Sequence, residues 1–181
     1  MGELTVLLQR AAGGDSEVRD PLYRLLYPEL SRLARRHLSR AGTISLDASA
    51  VLHEAYLRLT DRQDLPIANR HVFFAYASRV MHSVIIDYVR ERGAEKRGGN
   101  AQHVTLGSGV ASSIFRDHSV TDIDRAMSAL ERVDERAFRV VEMRYFAGLK
   151  EDDIGAALGI SLATVRRDWR KARAFLYDWL L

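Results

Sequence analysis

Residues Leu149–Arg173, LKEDDIGAALGISLATVRRDWRKAR, leave this chain few ways to fold. Ile154, Ala157 and Leu158 give a first short helix one apolar stripe, and Glu151, Asp152 and Asp153 place negative charge in its first turn, where the helix dipole favours it. Gly159 can take the positive φ that stops that helix. Ser161 is a suitable N-cap for a second helix. There Val165, Trp169, Ala172 and Leu176 recur at helical spacing, while Ser161, Thr164, Arg166, Arg167, Arg170, Lys171 and Arg173 fall elsewhere. A short helix, a glycine turn and a helix with one buried and one basic face predict a helix-turn-helix that binds DNA. An ordinary helical hairpin with a solvated basic face has the same local pattern, so the remaining sequence must separate the two.

Charge alone does not separate them. The formal net charge of the 181 residues is +3, too small to demand a polyanionic partner, so the placement of the cations carries the information. A hydrophobic content of 47% is enough to build a core. There is no cysteine, which excludes disulfides and thiolate metal sites and suits a reducing compartment. The N-terminus, MGELTVLLQRAAGGD, has no basic segment followed by a long apolar run, as a signal peptide would. No apolar run approaches the roughly 18 residues of a membrane helix. The expectation is a soluble, cytoplasmic protein without membrane insertion.

Ahead of the motif the pattern is helical throughout. Residues 3–12 form a short amphipathic helix ended by Gly13, Gly14 and Asp15. Asp20-Pro21 restarts one, with Leu22, Leu26, Leu30, Leu33 and His37 as its stripe and Arg32, Arg35, Arg36 and Arg40 opposite. Pro28 lies inside this stripe and predicts a kink or a fresh start near Tyr27. Asp47 or Ser49 can cap a helix to about Leu59, buried through Val51, Leu52, Ala55, Tyr56 and Leu59, with His53, Glu54 and Arg58 outward. His53-Glu54 opens like a zinc-protease motif, but Leu57 stands where the second histidine is needed. A polar loop, Thr60–Arg70, leads into a long helix from about His71 to Arg92. Phe73 and Phe74 are adjacent and cannot share a face, which predicts that one is exposed. Aromatics beside a basic helix face can stack on unpaired bases, and they can equally serve helix packing.

Residues 93–121 are rich in Gly, Ser and polar side chains and read as a flexible linker, with Val104-Thr105-Leu106 and Ile114-Phe115 as apolar islands. Periodicity returns with Ile123, Ala126, Met127 and Leu130. Asp134 can cap a further helix carrying Phe138, Val141 and Tyr145, closed by Ala147-Gly148. The C-terminal AFLYDWLL, with Phe175, Leu176, Trp179 and Leu180, reads as core cover. The expected fold class is all-α: two small helical domains, 1–92 and 122–181, joined by a flexible linker.

At this level the chain resembles the extracytoplasmic-function (ECF) sigma factors of bacterial RNA polymerase. Three stretches carry the resemblance in the family's order: DASAVLHEAYLRL (Asp47–Leu59), FFAYASRVMHSVIIDYVRER (Phe73–Arg92) and Leu130–Arg173, the last the most specific. The resemblance implies that the first docks on core polymerase through Asp47, His53, Glu54 and Arg58, His53 replacing a glutamine common in the family. It implies that the second reads the minus-ten element and assists melting, through Asn69 and Arg70 at its entrance and Phe73, Tyr76, Arg79, His82, Ser83 and Arg90 along it. Tyr76 and Ser83 stand where the family commonly has Trp and Asn. The third implies recognition of the minus-thirty-five element through Ser161, Thr164, Arg166, Arg167, Arg170 and Lys171. Lys150 occupies an N-cap position where many members have Ser or Thr. Core RNA polymerase and promoter DNA are the implied partners, with an anti-sigma factor as a further one.

Two other classes share parts of this pattern. A stand-alone regulator, with a helical dimerisation or sensor domain before the helix-turn-helix, would bind an operator as a symmetric dimer. The aromatic and basic run Phe73–Arg92 is odd for a sensor. Against an enzyme such as a nuclease or metal hydrolase, the sequence has no glycine-rich phosphate loop, no nucleophile elbow and no His/Asp/Glu set at ligand spacing. No catalytic residue, metal, cofactor or small-molecule substrate is expected.

Overall fold

The computed structural model describes residues 3–41, 44–60, 69–95 and 118–181, and every regular element among them is helical. Helices α1 (Glu3–Ala12), α2 (Arg19–Ala41), α3 (Ala48–Thr60) and α4 (Arg70–Glu95) build the N-terminal half. A single 3₁₀ turn, Ser16–Val18, joins α1 to α2. Helices α5 (Val120–Val133), α6 (Glu135–Val141), α7 (Glu151–Leu158) and α8 (Leu162–Leu180) build the C-terminal half. Between α6 and α7 the backbone widens into a π turn, Glu142–Phe146, which the periodicity had not foreshadowed.

The stripe on α2 is buried as its spacing requires, and Leu26 and Leu30 are almost fully enclosed. That burial explains why α2 does not restart at Tyr27. It runs through Pro28 as one helix. Leu22 and Leu26 anchor one side of the proline and Leu30 and Leu33 the other. Tertiary packing of this kind offsets the roughly 3 kcal/mol that an interior proline costs.

The expectation that Phe73 or Phe74 is exposed is wrong. Both are buried, in an edge-to-face pair with ring centroids 5.6 Å apart. The premise holds, since the two side chains leave α4 in different directions. The error was to assume that α4 has only one covered side. It packs on α2 and α3 and also on α5, the π turn and α7. Its buried residues accordingly run Phe73, Phe74, Ala75, Ala77, Ser78 and Met81, then Val84, Ile85 and Ile86. No amphipathic pattern could show this, because a helix covered on several sides has none.

The boundaries of the expected linker also shift. Gly93, Ala94 and Glu95 continue α4, and Val120 and Thr121 belong to α5, opened by the Ser119 cap. The apolar islands at 104–106 and 114–115 lie outside the described residues, as does most of the loop before α4. The two halves touch directly through α4, rather than standing apart as separate bodies.

The C-terminal half is held by an ion pair that the sequence did not announce. Asp168, on α8, has no solvent exposure, and Arg136 of α6 clamps both its oxygens at 2.6 and 3.1 Å. A paired, doubly bonded carboxylate is the form in which such burial is tolerated. At the chain end Leu176 is buried, as expected, but Trp179 is 43% exposed and does not serve as core cover.

Candidate nucleic-acid interface

The helix-turn-helix forms as its residues predict. Lys150 has N-cap backbone geometry but makes no side-chain cap bond. Gly159 ends α7 at φ 65°, and Ser161 accepts from the Thr164 N–H at 3.2 Å to open α8. Gly155 of α7 carries no signal in the helical period. A Cβ there would lie 2.9 Å from the Ile160 carbonyl oxygen, so its absence lets α7 and the turn approach closely. Val165, Trp169, Ala172 and Leu176 are buried, which aims Arg166, Arg167, Arg170, Lys171 and Arg173 at solvent.

Those cations are partly pre-positioned. Arg166 Nε donates to Glu151 Oε2 at 2.8 Å, and Arg144 also binds Glu151 while stacking its guanidinium 4.5 Å above the Trp169 ring. The Arg166 and Arg144 bonds hold the Glu151 carboxyl below its usual range. Lys171 Nζ reaches Asp134 Oδ2 at 3.0 Å, and Arg167 lies 3.9 Å from Asp168. Arg170 is exposed and makes no ion pair among the described residues. Glu151 and Arg144 are thus supporting residues that the sequence reading missed. The separation of 15 positions between Glu151 and Arg166 hides their contact from any helical spacing rule.

The second candidate surface, on α4, is brought together less openly. Asn69 is the helix N-cap, its Oδ1 accepting from the Val72 N–H at 3.0 Å. Arg70 pairs with Glu29 of α2 and lies over the Phe74 ring. Phe73 is interior, so it is not poised to stack on a base, and Tyr76 is half-buried. Ser83 accepts from Arg58 at 2.9 Å. Arg79, His82 and Arg90 all face acidic residues of the C-terminal half.

On α3, Asp47 is the cap, accepting from the Ala50 N–H at 2.8 Å. His53 is exposed and Glu54 half-exposed. Arg58 does not project freely: it turns onto α4 and binds Asp87 at 2.7 Å as well as Ser83 and Glu54. Tyr56 is half-buried, and its hydroxyl donates to Asp20 at 2.7 Å. Beside His53 and Glu54 stands Leu57, 47% exposed. An apolar residue that falls off the buried stripe was the available signal for it.

Among the described residues no group of three or more His, Asp or Glu side chains could hold a metal ion, and no helix is long and apolar enough to cross a membrane. The sequence matches the family model described as ECF sigma factor over residues 1–180. The chain belongs to the ECF sigma factor family. Among solved structures it is similar to CnrH, determined in complex with the cytosolic domain of CnrY. The identity is 18% over 97% of this chain and 96% of that one, with a TM-score of 0.42. No curated protein matches the chain. Membership makes this sigma factor a DNA-binding transcription protein, and the surfaces above are where its contacts are to be sought.

Proposed function

We propose that this ECF sigma factor binds core RNA polymerase, directs it to specific promoters and assists opening of the duplex. The observation that carries this reading is α8. Its apolar face is sunk in a capped helix-turn-helix, and Arg166, Arg167, Arg170 and Lys171 stand on the other side. Such a helix fits the major groove, where arginine reads guanine edges or holds phosphate. In this reading α8 recognises the upstream duplex element. The α4 helix, with Asn69 and Arg70 at its start and Tyr76, Arg79, His82, Ser83 and Arg90 along it, meets the minus-ten region. The α3 surface of Asp47, His53, Glu54 and Leu57 docks on polymerase, with Arg58 bracing it against α4. Two weak DNA readers on one chain gain affinity through effective concentration. An anti-sigma factor is the further partner that the family suggests.

Replacing Arg166, Arg167 and Arg170 together by Ala should weaken binding of holoenzyme to upstream promoter duplex by at least about tenfold, at roughly 1 kcal/mol or more per lost contact. Association with core polymerase, followed by fluorescence anisotropy, should be unchanged. Glu54→Arg should do the reverse, weakening polymerase binding while leaving the duplex contact intact. Equal losses in both assays for either variant would break the proposed division of labour.

A further inference from the structure

Helix α2 carries more charge than the described residues around it cancel. It holds six arginines against two acids, Asp20 and Glu29, a surplus of four that exceeds the +3 of the whole chain. Both acids are engaged by other elements. The Tyr56 hydroxyl of α3 donates to Asp20 at 2.7 Å, and Arg70 of α4 pairs with Glu29. Arg36 and Arg40 donate to the Ala147 and Tyr145 carbonyls, which leaves their charge uncancelled. Arg24, Arg32 and Arg35 are exposed and make no ion pair among the described residues.

The placement of these three arginines matters as much as their exposure. Burial of Leu22, Leu26, Leu30, Leu33 and His37 sends Arg24, Arg32 and Arg35 to the far side of the helix, within an arc of about 80° at about 3.6 residues per turn. Along the axis they span about 16 Å, the rise of roughly five base pairs. No acid or aromatic ring falls within that arc, which Pro21, Pro28 and Ser39 complete. A solvated helix face usually mixes signs, as Asp122 and Arg125 of α5 do at 3.6 Å. Arg32 instead stands three and four positions from Arg35 and Arg36, spacings at which like charges destabilise a helix. The result is one rigid edge of a single sign. Arginine forks match phosphate oxygens, and the absence of rings from the arc favours backbone contact over stacking on unpaired bases.

We propose that the outward face of α2 is a further DNA contact, in which Arg24, Arg32 and Arg35 bind backbone phosphates of the duplex beside the stretch that α4 meets. This rests on the reading of α4 as a DNA-contacting helix. Arg70, at the start of α4, pairs with Glu29, three positions from Arg32, so the two surfaces are continuous. Phosphate contacts position a protein without reading sequence. The α2 face therefore adds affinity and register, while α4 and α8 choose the promoter.

The test compares Arg24→Gln/Arg32→Gln/Arg35→Gln with the charge-matched Arg125→Gln/Arg132→Gln/Arg139→Gln, whose arginines occupy exposed positions of α5 and α6. Glutamine has a helix propensity close to that of arginine. On a labelled mixed-sequence duplex of about 30 bp, followed by fluorescence anisotropy, the free full chain with the α2 substitutions should bind at least about tenfold more weakly than the control, and its logarithmic salt dependence should be shallower by about 2.7. Arg24→Lys/Arg32→Lys/Arg35→Lys should recover the slope, which a folding defect would not allow. Holoenzyme made with the α2 glutamine variant should assemble with unchanged affinity and keep its start sites, while binding promoter duplex more weakly. Equal affinity and slope in the two glutamine variants would overturn the proposal, as would a lysine variant no tighter than the α2 glutamine one. Weaker association with core polymerase in the absence of DNA would also overturn it, by making the face a polymerase contact. If the unaltered chain directs no transcription, the sigma-factor reading fails, and the free-chain arm still decides whether the α2 face binds duplex.

Discussion

Glu142 shows what single residues contribute to this fold. It is 8% exposed and faces Arg79, Glu131 and Arg139. Burial outweighs the attraction of Arg79 and lifts its carboxyl from the ordinary 4.5 to about 7. The folded chain therefore holds a proton that the unfolded chain releases between those values, and stability falls as pH rises through that interval. Glu142→Gln should flatten the slope and leave the folded state more stable at pH 8, by of order 1–3 kcal/mol. Urea denaturation at pH 4.5 and pH 8 checks this, and an unchanged slope would contradict it. His37 is a second buried titratable group. Burial, helped by nearby His82 and the Arg40 and Arg36 charges, pushes it well below 6.5, so it is neutral where it meets the Ser78 hydroxyl at 2.8 Å. The i, i+4 stripe marked His37 as an interior residue. Nothing marked Glu142 or Asp168, because a buried charge is identified by a partner distant in sequence.

At the scale of elements, the caps and the apolar periods were legible and the seams were not. Asp47, Asp134, Gly159 and Ser161 act as their local chemistry requires. Lys150 is the cap that is missing. Its φ of −74° and ψ of 157° already suit a capping side chain. Lys150→Ser should therefore stabilise the C-terminal half by about 0.5–1 kcal/mol, read as a rise in melting temperature. Gly155→Val should do the opposite and also weaken duplex binding, since its side chain would drive α7 away from Ile160; unaltered DNA affinity would show that the turn tolerates the shift. The π turn escaped the sequence reading because the residues Phe138, Val141 and Tyr145 fit an α-helical period equally well. Only the wider ring, with the Ala147 N–H bonding to the Glu142 carbonyl at 3.1 Å, turns Tyr145 and Phe146 toward α2 and α4.

At the scale of the whole molecule, α4 explains both what the sequence disclosed and what it concealed. Its length and its basic residues were readable, and so was its place before a helix-turn-helix. Its enclosure on several sides was not, since that depends on helices that return from more than thirty residues away. Arg79, His82 and Arg90, proposed to meet promoter DNA, also face acidic residues of the C-terminal half. The central claim is that the chain confers promoter choice on polymerase. In vitro transcription of fragmented genomic DNA by core enzyme, with and without the full chain, tests it most directly through mapping of 5′ ends. The expected result is a set of start sites that appear only with the chain and share two upstream elements at constant spacing, lost when Arg166, Arg167 and Arg170 are replaced by Ala. Start sites identical to those of core enzyme alone would contradict it.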